Sequence, residues 1–134
     1  TTIRRDKEQL KILNNSKNVD IFTLRVSDKF GDYGLVGVAI VQRDQSHPYI
    51  DTFLMSCRVL GKNIETAFLS EVLRIQFNLG KNKIFGKYYP TLKNKLVSNF
   101  YRQHGFYLKN EVWVKKLDKL ITIPKHISIL SNNG

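Results

Sequence analysis

A chain of 134 residues has room for one hydrophobic core, and an apolar share of 42% places it among globular rather than disordered or fibrous proteins. No apolar run approaches the roughly 18–20 residues of a membrane-spanning helix, and a single cysteine, Cys57, excludes an internal disulfide. Lys and Arg outnumber Asp and Glu by 22 to 11, so the surface attracts polyanions: a nucleic acid, a phosphate-rich cofactor or an acidic carrier protein.

Asp6 to Leu13 reads as a short helix, with Asp6 near its start and Leu10 and Leu13 on one side. Asn14 to Asn18 is a polar break. Ile21 to Val26 alternates as a half-buried strand. Asp28 to Gly34 carries glycines and carboxylates suited to a hairpin turn, and Leu35 to Val41 returns as an apolar strand. Asp28 and Asp32 could also be read as metal ligands, but no third ligand accompanies them, and the turn is the expected role. Tyr49 to Cys57 makes a third strand, whose two-residue period puts Asp51, Phe53, Met55 and Cys57 on one face.

Ile64 to Leu79 has an apolar stripe at the helical period and stops at Gly80. Lys83 to Tyr89 is a strand ended by Pro90. Thr91 to His104 is a second helix, closed by Gly105, and Phe106–Leu108 and Val112–Val114 are short strands around Lys109-Asn110-Glu111. Leu120 to Leu130 is too apolar to leave bare and is expected to pack on its own domain or on a partner. This order implies an α/β (α+β) fold, a mixed, mainly antiparallel sheet flanked by helices.

The basic residues are dispersed and load no recognition helix, and no Cys/His spacing suits a metal. Neither nucleic acid, metal nor membrane is expected. A lone cysteine and the absence of an apolar leader at Thr1–Arg5 favour the cytoplasm.

Two segments resemble the GNAT superfamily of N-acetyltransferases, which use acetyl-CoA. Gly61-Lys62-Asn63-Ile64-Glu65-Thr66-Ala67-Phe68-Leu69 is similar to the family's cofactor loop, a glycine turn running from the central strand into a helix. Asn94-x-x-Val97-x-x-x-Tyr101-x-x-x-Gly105-Phe106 is similar to its late helix. More narrowly, Val26–Gly37 and Ile50–Gly61 resemble the C-terminal GNAT-like domain of FkbH-like proteins. Those pair it with a HAD-type phosphatase-like domain and load a glyceryl unit onto an acyl carrier protein for polyketide extender units. The D-x-D-x-T motif of the phosphatase-like half is absent here. The resemblance implies one GNAT-like domain over 1–134, a C-terminal fragment of a larger protein. It further implies acetyl-CoA or a phosphopantetheine thioester as donor, and an acyl carrier protein or a small molecule as acceptor.

Its cofactor contacts would be Met55, Cys57, Arg58, Gly61, Lys62, Asn63, Ile64, Glu65, Asn94 and Tyr101. The physical ground at the turn is the exposed N–H groups and positive dipole end of the helix at Ile64. Leu60, Asn63 and Glu65 depart from the family's pattern, and a Glu65 carboxylate repels a pyrophosphate. Asn63 could instead simply N-cap the helix, with Glu65 favouring its positive end. Tyr101, seven residues from Asn94 and so on its face, would protonate the departing thiolate, or would be a core aromatic with its hydroxyl at the surface. Asp51 and His104 both stand open as a general base. Cys57 is either a nucleophile activated by Arg58 or a small buried strand residue.

Overall fold

In a computed structural model, the described residues are 7–15, 18–43, 46–59, 61, 63–87, 99–119, 122–124 and 127–132. Among these residues eight strands form one sheet: β1 (Lys7–Asn15), β2 (Val19–Asp28), β3 (Gly31–Gln42), β4 (Tyr49–Met55), β5 (Lys83–Gly86), β6 (Tyr107–Lys109), β7 (Val112–Lys116) and β8 (Ser128–Asn132). Their order is β6-β7-β5-β4-β3-β2-β1-β8, with β4/β5 and β1/β8 parallel and every other pair antiparallel. One long helix, α1 (Ile64–Asn78), joins β4 to β5, and residues 99–103 are helical.

The first segment departs from expectation. Residues 7–15 form a strand rather than a helix and pair with β2 from Lys7↔Ser27 to Asn15↔Asp20. Leu10 and Leu13 satisfy a helical spacing, but Leu10 and Ile12 satisfy a strand spacing equally, and so short a pattern is decided by its neighbours. Here the neighbours are a ten-residue strand on one side and β8 on the other. The apolar tail supplies β8, which runs parallel to β1, and Ile127 enters the core at 8% exposure, so this segment packs on its own domain.

The hairpin at Asp28 is tighter than expected, since β3 already begins at Gly31. Both carboxylates serve the turn. Asp28 Oδ1 accepts from the Phe30 N–H at 2.8 Å and Oδ2 from the Tyr33 hydroxyl at 2.9 Å, while Asp32 Oδ1 accepts from the Gly34 N–H at 2.7 Å. The hydrogen bond that it donates to Asp28 holds the Tyr33 phenol above its usual range. At the other end of the sheet, Asn110 and Glu111 both take positive φ (51° and 61°), as a two-residue hairpin between right-twisted strands requires.

The core lies between one sheet face and α1. Phe22 and Leu24 of β2, Ala39 and Val41 of β3, Ile50 of β4 and Ala67, Phe68 and Val72 of α1 are all essentially inaccessible. A polar clamp fixes the far end of α1. Gln76 Nε2 donates to the buried Asp20 Oδ2 at 3.0 Å, and Arg43 pairs with the same carboxylate at 3.0 Å. Both helical segments end as expected at glycines. The Lys81 N–H reaches Gln76 O and the Gly80 N–H Phe77 O; Phe106 and Gly105 repeat this on Tyr101 and Arg102, with Gly80 and Gly105 left-handed.

Two glycines are set by packing. A Cβ on Gly86 would lie 2.6 Å from Tyr101 Cζ, and one on Gly37 would lie 2.9 Å from Met55 Sδ. The tyrosine ring is wedged against Phe106 and Trp113 at 4.7 and 5.8 Å, whereas the methionine end can swing aside. Gly86→Ala is therefore expected to cost about 1–3 kcal/mol of stability, and Gly37→Ala distinctly less, by urea unfolding.

Candidate functional site

Strands β4 and β5 share only a short parallel ladder among the described residues. The ladder consists of Tyr49↔Phe85 and Ile50↔Gly86 alone, with the Lys87 N–H reaching Ile50 O at 3.3 Å. Beyond Ile50, β4 continues to Met55 beside β3, with no β5 partner among the described residues. Among the described residues the β4/β5 pairing therefore stops at Ile50↔Gly86, a split on the side of the C-terminal end of β4, which leads toward α1.

A bulge sits at the same place. Ile40 pairs with Thr52 and Val41 with Ile50, so Asp51 is the extra residue and the side-chain alternation slips by one. This corrects the expected face shared by Asp51, Phe53, Met55 and Cys57. Phe53 stacks on Phe68 of α1 at 5.1 Å and on Phe100 at 4.9 Å, and Met55 packs against the same core. Asp51 instead stands 3.9 Å from Lys87 Nζ, in a half-exposed ion pair.

Cys57 is also displaced from its expected place. Strand β4 ends at Met55, the Ser56 N–H donates to Val36 O at 2.8 Å, and Cys57–Val59 turn away as a 3-10 segment. Cys57 is exposed there, neither a strand residue nor a buried one. Arg58 is exposed as well, its Nε donating to Ser56 Oγ at 3.2 Å.

The turn into α1 uses two left-handed residues, Gly61 (φ 83°) and Asn63 (φ 63°). Asn63 occupies the N-cap position but makes no side-chain cap bond, so the capping role is overturned and the residue supplies a backbone angle instead. The first helical bond descends from Ala67 N–H to Asn63 O at 3.0 Å, which leaves the N–H groups of Ile64, Glu65 and Thr66 ahead of it at the helix's positive end. Glu65 also lies here, and its Oε2 is buried without a hydrogen-bond partner among the described residues. Lys62 and Asn94, with the first part of the expected 91–104 helix, lie outside the described residues.

Tyr101 is a core aromatic at 4% exposure. Its ring covers Gly86, the last β5 residue paired with β4, so Tyr101 sits at the root of the split. The two helical segments are tied together by a link the sequence does not announce. His104 Nδ1 lies 2.7 Å from Phe100 O and Nε2 lies 2.8 Å from Thr66 Oγ1. A carbonyl can only accept, so Nδ1 carries the proton and the threonine hydroxyl donates to Nε2 in the neutral ring. With both nitrogens engaged, His104 joins the first turn of α1 to the Tyr101 segment rather than standing free as a base. Only a Thr and a His 38 residues apart encode this, a signal without sequence periodicity.

The candidate site therefore comprises Met55 at the end of β4, Gly61, Asn63, Ile64 and Glu65 at the turn into α1, and Tyr101 over Gly86. It leaves Asp51 paired with Lys87 and Cys57 on the outer turn. Among the described residues no group of three metal-ligating side chains occurs, and no helix is long and apolar enough to cross a membrane.

No family model and no curated protein matches this chain. Solved structures do. A protein from Desulfovibrio desulfuricans assigned to the GNAT acetyltransferases superposes with a TM-score of 0.64 at 11% identity, over 75% of this chain and 71% of its own. The PaiA N-acetyltransferase of Thermoplasma acidophilum, solved with coenzyme A, gives 0.59 at 17% over 74% and 61%. A protein from Bacillus anthracis assigned as a streptothricin acetyltransferase, solved with acetyl coenzyme A, gives 0.63 at 13% over 78% and 65%. The chain spans just under two thirds of the last two proteins. At these identities the likeness establishes the fold, and this chain has the GNAT fold.

Thr66→Val removes the donor to His104 at nearly constant volume. It is expected to lower stability by about 1 kcal/mol, and His104→Ala in the Thr66→Val background to cost less than in the wild type. Urea unfolding of the four proteins checks this coupling.

Proposed function

We propose that this domain is a GNAT-type acyltransferase that binds a coenzyme A thioester in the split between β4 and β5. The observation that carries the reading is the split itself. It is rooted at Ile50↔Gly86 under the Tyr101 ring, on the side of β4 that leads toward a helix N-terminus preceded by two left-handed residues. Similar folds from Thermoplasma acidophilum and Bacillus anthracis were solved with coenzyme A and acetyl coenzyme A. In this reading the N–H groups of Ile64, Glu65 and Thr66 face the phosphates, and the extended arm lies along β4 beyond Ile50, where the described residues give it no β5 partner. Arg58 and Lys62 add positive charge, and Met55 lines the arm's entry.

Acyl transfer then needs an acceptor nucleophile to attack the thioester carbonyl, forming the new bond while the carbon–sulfur bond breaks. The acceptor gives up a proton to solvent water, and the departing thiolate takes one. Tyr101 is the donor of choice, because its phenol lies over Gly86, where the β4/β5 pairing stops. His104 holds the segment bearing Tyr101 against α1 and acts as a positioning residue. Cys57, on an exposed turn, is not needed for direct transfer.

Glu65 favours a second reading. Its unpartnered Oε2 lies at the helix end where a pyrophosphate would sit. The single phosphodiester of a carrier-bound phosphopantetheine meets less repulsion there than coenzyme A does. A net charge of +11 suits an acidic carrier protein. In that reading the domain is the carrier-binding half of an FkbH-like protein, with the chemistry in a phosphatase-like domain.

Isothermal titration with acetyl-CoA and with a phosphopantetheinylated carrier separates the two. The enzyme reading expects acetyl-CoA binding that Glu65→Gln tightens by about fivefold, as one like charge is removed from the site. It also expects Tyr101→Phe to lower kcat by roughly 100-fold with KM nearly unchanged. No affinity for acetyl-CoA, with carrier binding that falls steeply as salt rises, would establish the carrier module instead. Transfer that survives blocking of Cys57 excludes a covalent enzyme intermediate, and is the expected result.

A further inference from the structure

The sheet has a second face, and the four strands β4, β5, β7 and β6 carry one row of side chains straight across it. Tyr49 pairs with Phe85, Phe85 with Val114, and Val114 with Tyr107. These positions alternate with Ile50, Gly86 and Trp113, which face α1 and Tyr101, so the Tyr-Phe-Val-Tyr row points away from both described helical segments. Tyr107 is 51% exposed, Tyr49 and Phe85 are half-buried, and Val114 between them is buried. The exposed part of such an aromatic row is costly unless it meets something flat and apolar.

Cations flank the row on both sides. Two residues along the strands, Lys83 pairs with Lys116, and the His47 ring stands edge-on to Phe85 at 5.4 Å. On the opposite side lies Lys109. The relief forms two adjoining cavities. One of about 330 Å³ is lined by Tyr49, Phe85, Tyr107, Val114, Lys83 and Lys109. The other, of about 630 Å³, contains His47, Lys83 and Lys116, with Asp118 the one carboxylate among its described lining residues. Lys83 belongs to both.

We propose that this face binds single-stranded nucleic acid, its bases stacked along Tyr49, Phe85 and Tyr107 and its phosphates held by Lys83, Lys116 and Lys109. Strands about 4.8 Å apart spread the row over roughly 14 Å, a length on which a four-stranded sheet stacks two or three bases. A purely acidic peptide would use the lysines and leave the aromatics without a role. The dispersed charge and lack of a recognition helix, which count against duplex reading from the sequence, do not bear on a sheet that takes unstacked bases. The proposal does not rest on acyl transfer, because the two sites lie on opposite faces of the sheet.

Fluorescence anisotropy with a labelled oligouridine, the matching oligothymidine and a duplex of equal length tests it. Binding of a single strand, tighter than the duplex, is expected; RNA favoured over DNA assigns the strand by its 2′-hydroxyls, and equal binding assigns the shared base–phosphate chemistry. Tyr107→Ala should weaken binding roughly 5- to 100-fold while Tyr107→Phe retains it. Lys83→Ala with Lys116→Ala should flatten the logarithmic salt slope by about 0.7 for each lysine. Circular dichroism melts confirm that each variant is folded, and the exposed edge position of Tyr107 makes its replacement tolerable. No binding at low salt, duplex bound as tightly as single strand, or Tyr107→Ala without effect would each overturn the proposal.

Discussion

The ring of Tyr101 lying on Gly86 is the contact on which the arrangement of this domain turns. A residue with a Cβ at position 86 would push the ring away, since the nearest ring atom would be 2.6 Å distant. The glycine is also the last residue of β5 that pairs with β4. One contact therefore seats the 99–103 segment, closes the aromatic cluster of Phe106 and Trp113, and stands at the root of the split. The His104–Thr66 link and the stacking of Phe53 between Phe68 and Phe100 then tie α1 to the Tyr101 segment.

Local signals carried much of this. The apolar stripe of Ile64 to Leu79, with Gly80 after it, specified α1 to within a residue, because a long helical period and a left-handed stop agree. The alternation of Ile21 to Val26 and the loop before Leu35 specified the β2–β3 hairpin, whose strands prove longer than their apolar stretches. Where the reading failed, distant partners decided the outcome. Residues 7–15 became a strand because β2 and β8 flank them. Asp51 left the Phe53 face because a bulge consumes one residue, and nothing in Tyr49-Ile50-Asp51-Thr52 announces it. Asn63 looked like a cap and proved to be a left-handed hinge. Cys57 left the strand because the chain bends at Ser56.

The candidate site was legible as a turn and a helix start, and less so as chemistry. Gly61, Asn63, Ile64 and Tyr101 could be named from spacing and resemblance. The seat at Gly86 and the histidine link join residues that are 15 and 38 positions apart, beyond any local pattern. The same limit hid the aromatic row. Tyr49, Phe85, Val114 and Tyr107 come from four strands, and only the register of three pairings lines them up. Among the described residues the sheet thus presents two unlike surfaces: a helix-covered face with a split and a polar turn, and a face with aromatics among lysines.

The central claim is that the split and the turn before α1 hold a coenzyme A-type ligand. Titration of ¹⁵N-labelled protein with coenzyme A, followed by amide shifts, tests it most directly. The account expects the largest changes at Gly61, Asn63, Ile64 and Glu65, continuing through Met55 to Gly86. Changes confined to Tyr49, Phe85 and Tyr107 on the opposite face, or none at all, would contradict it.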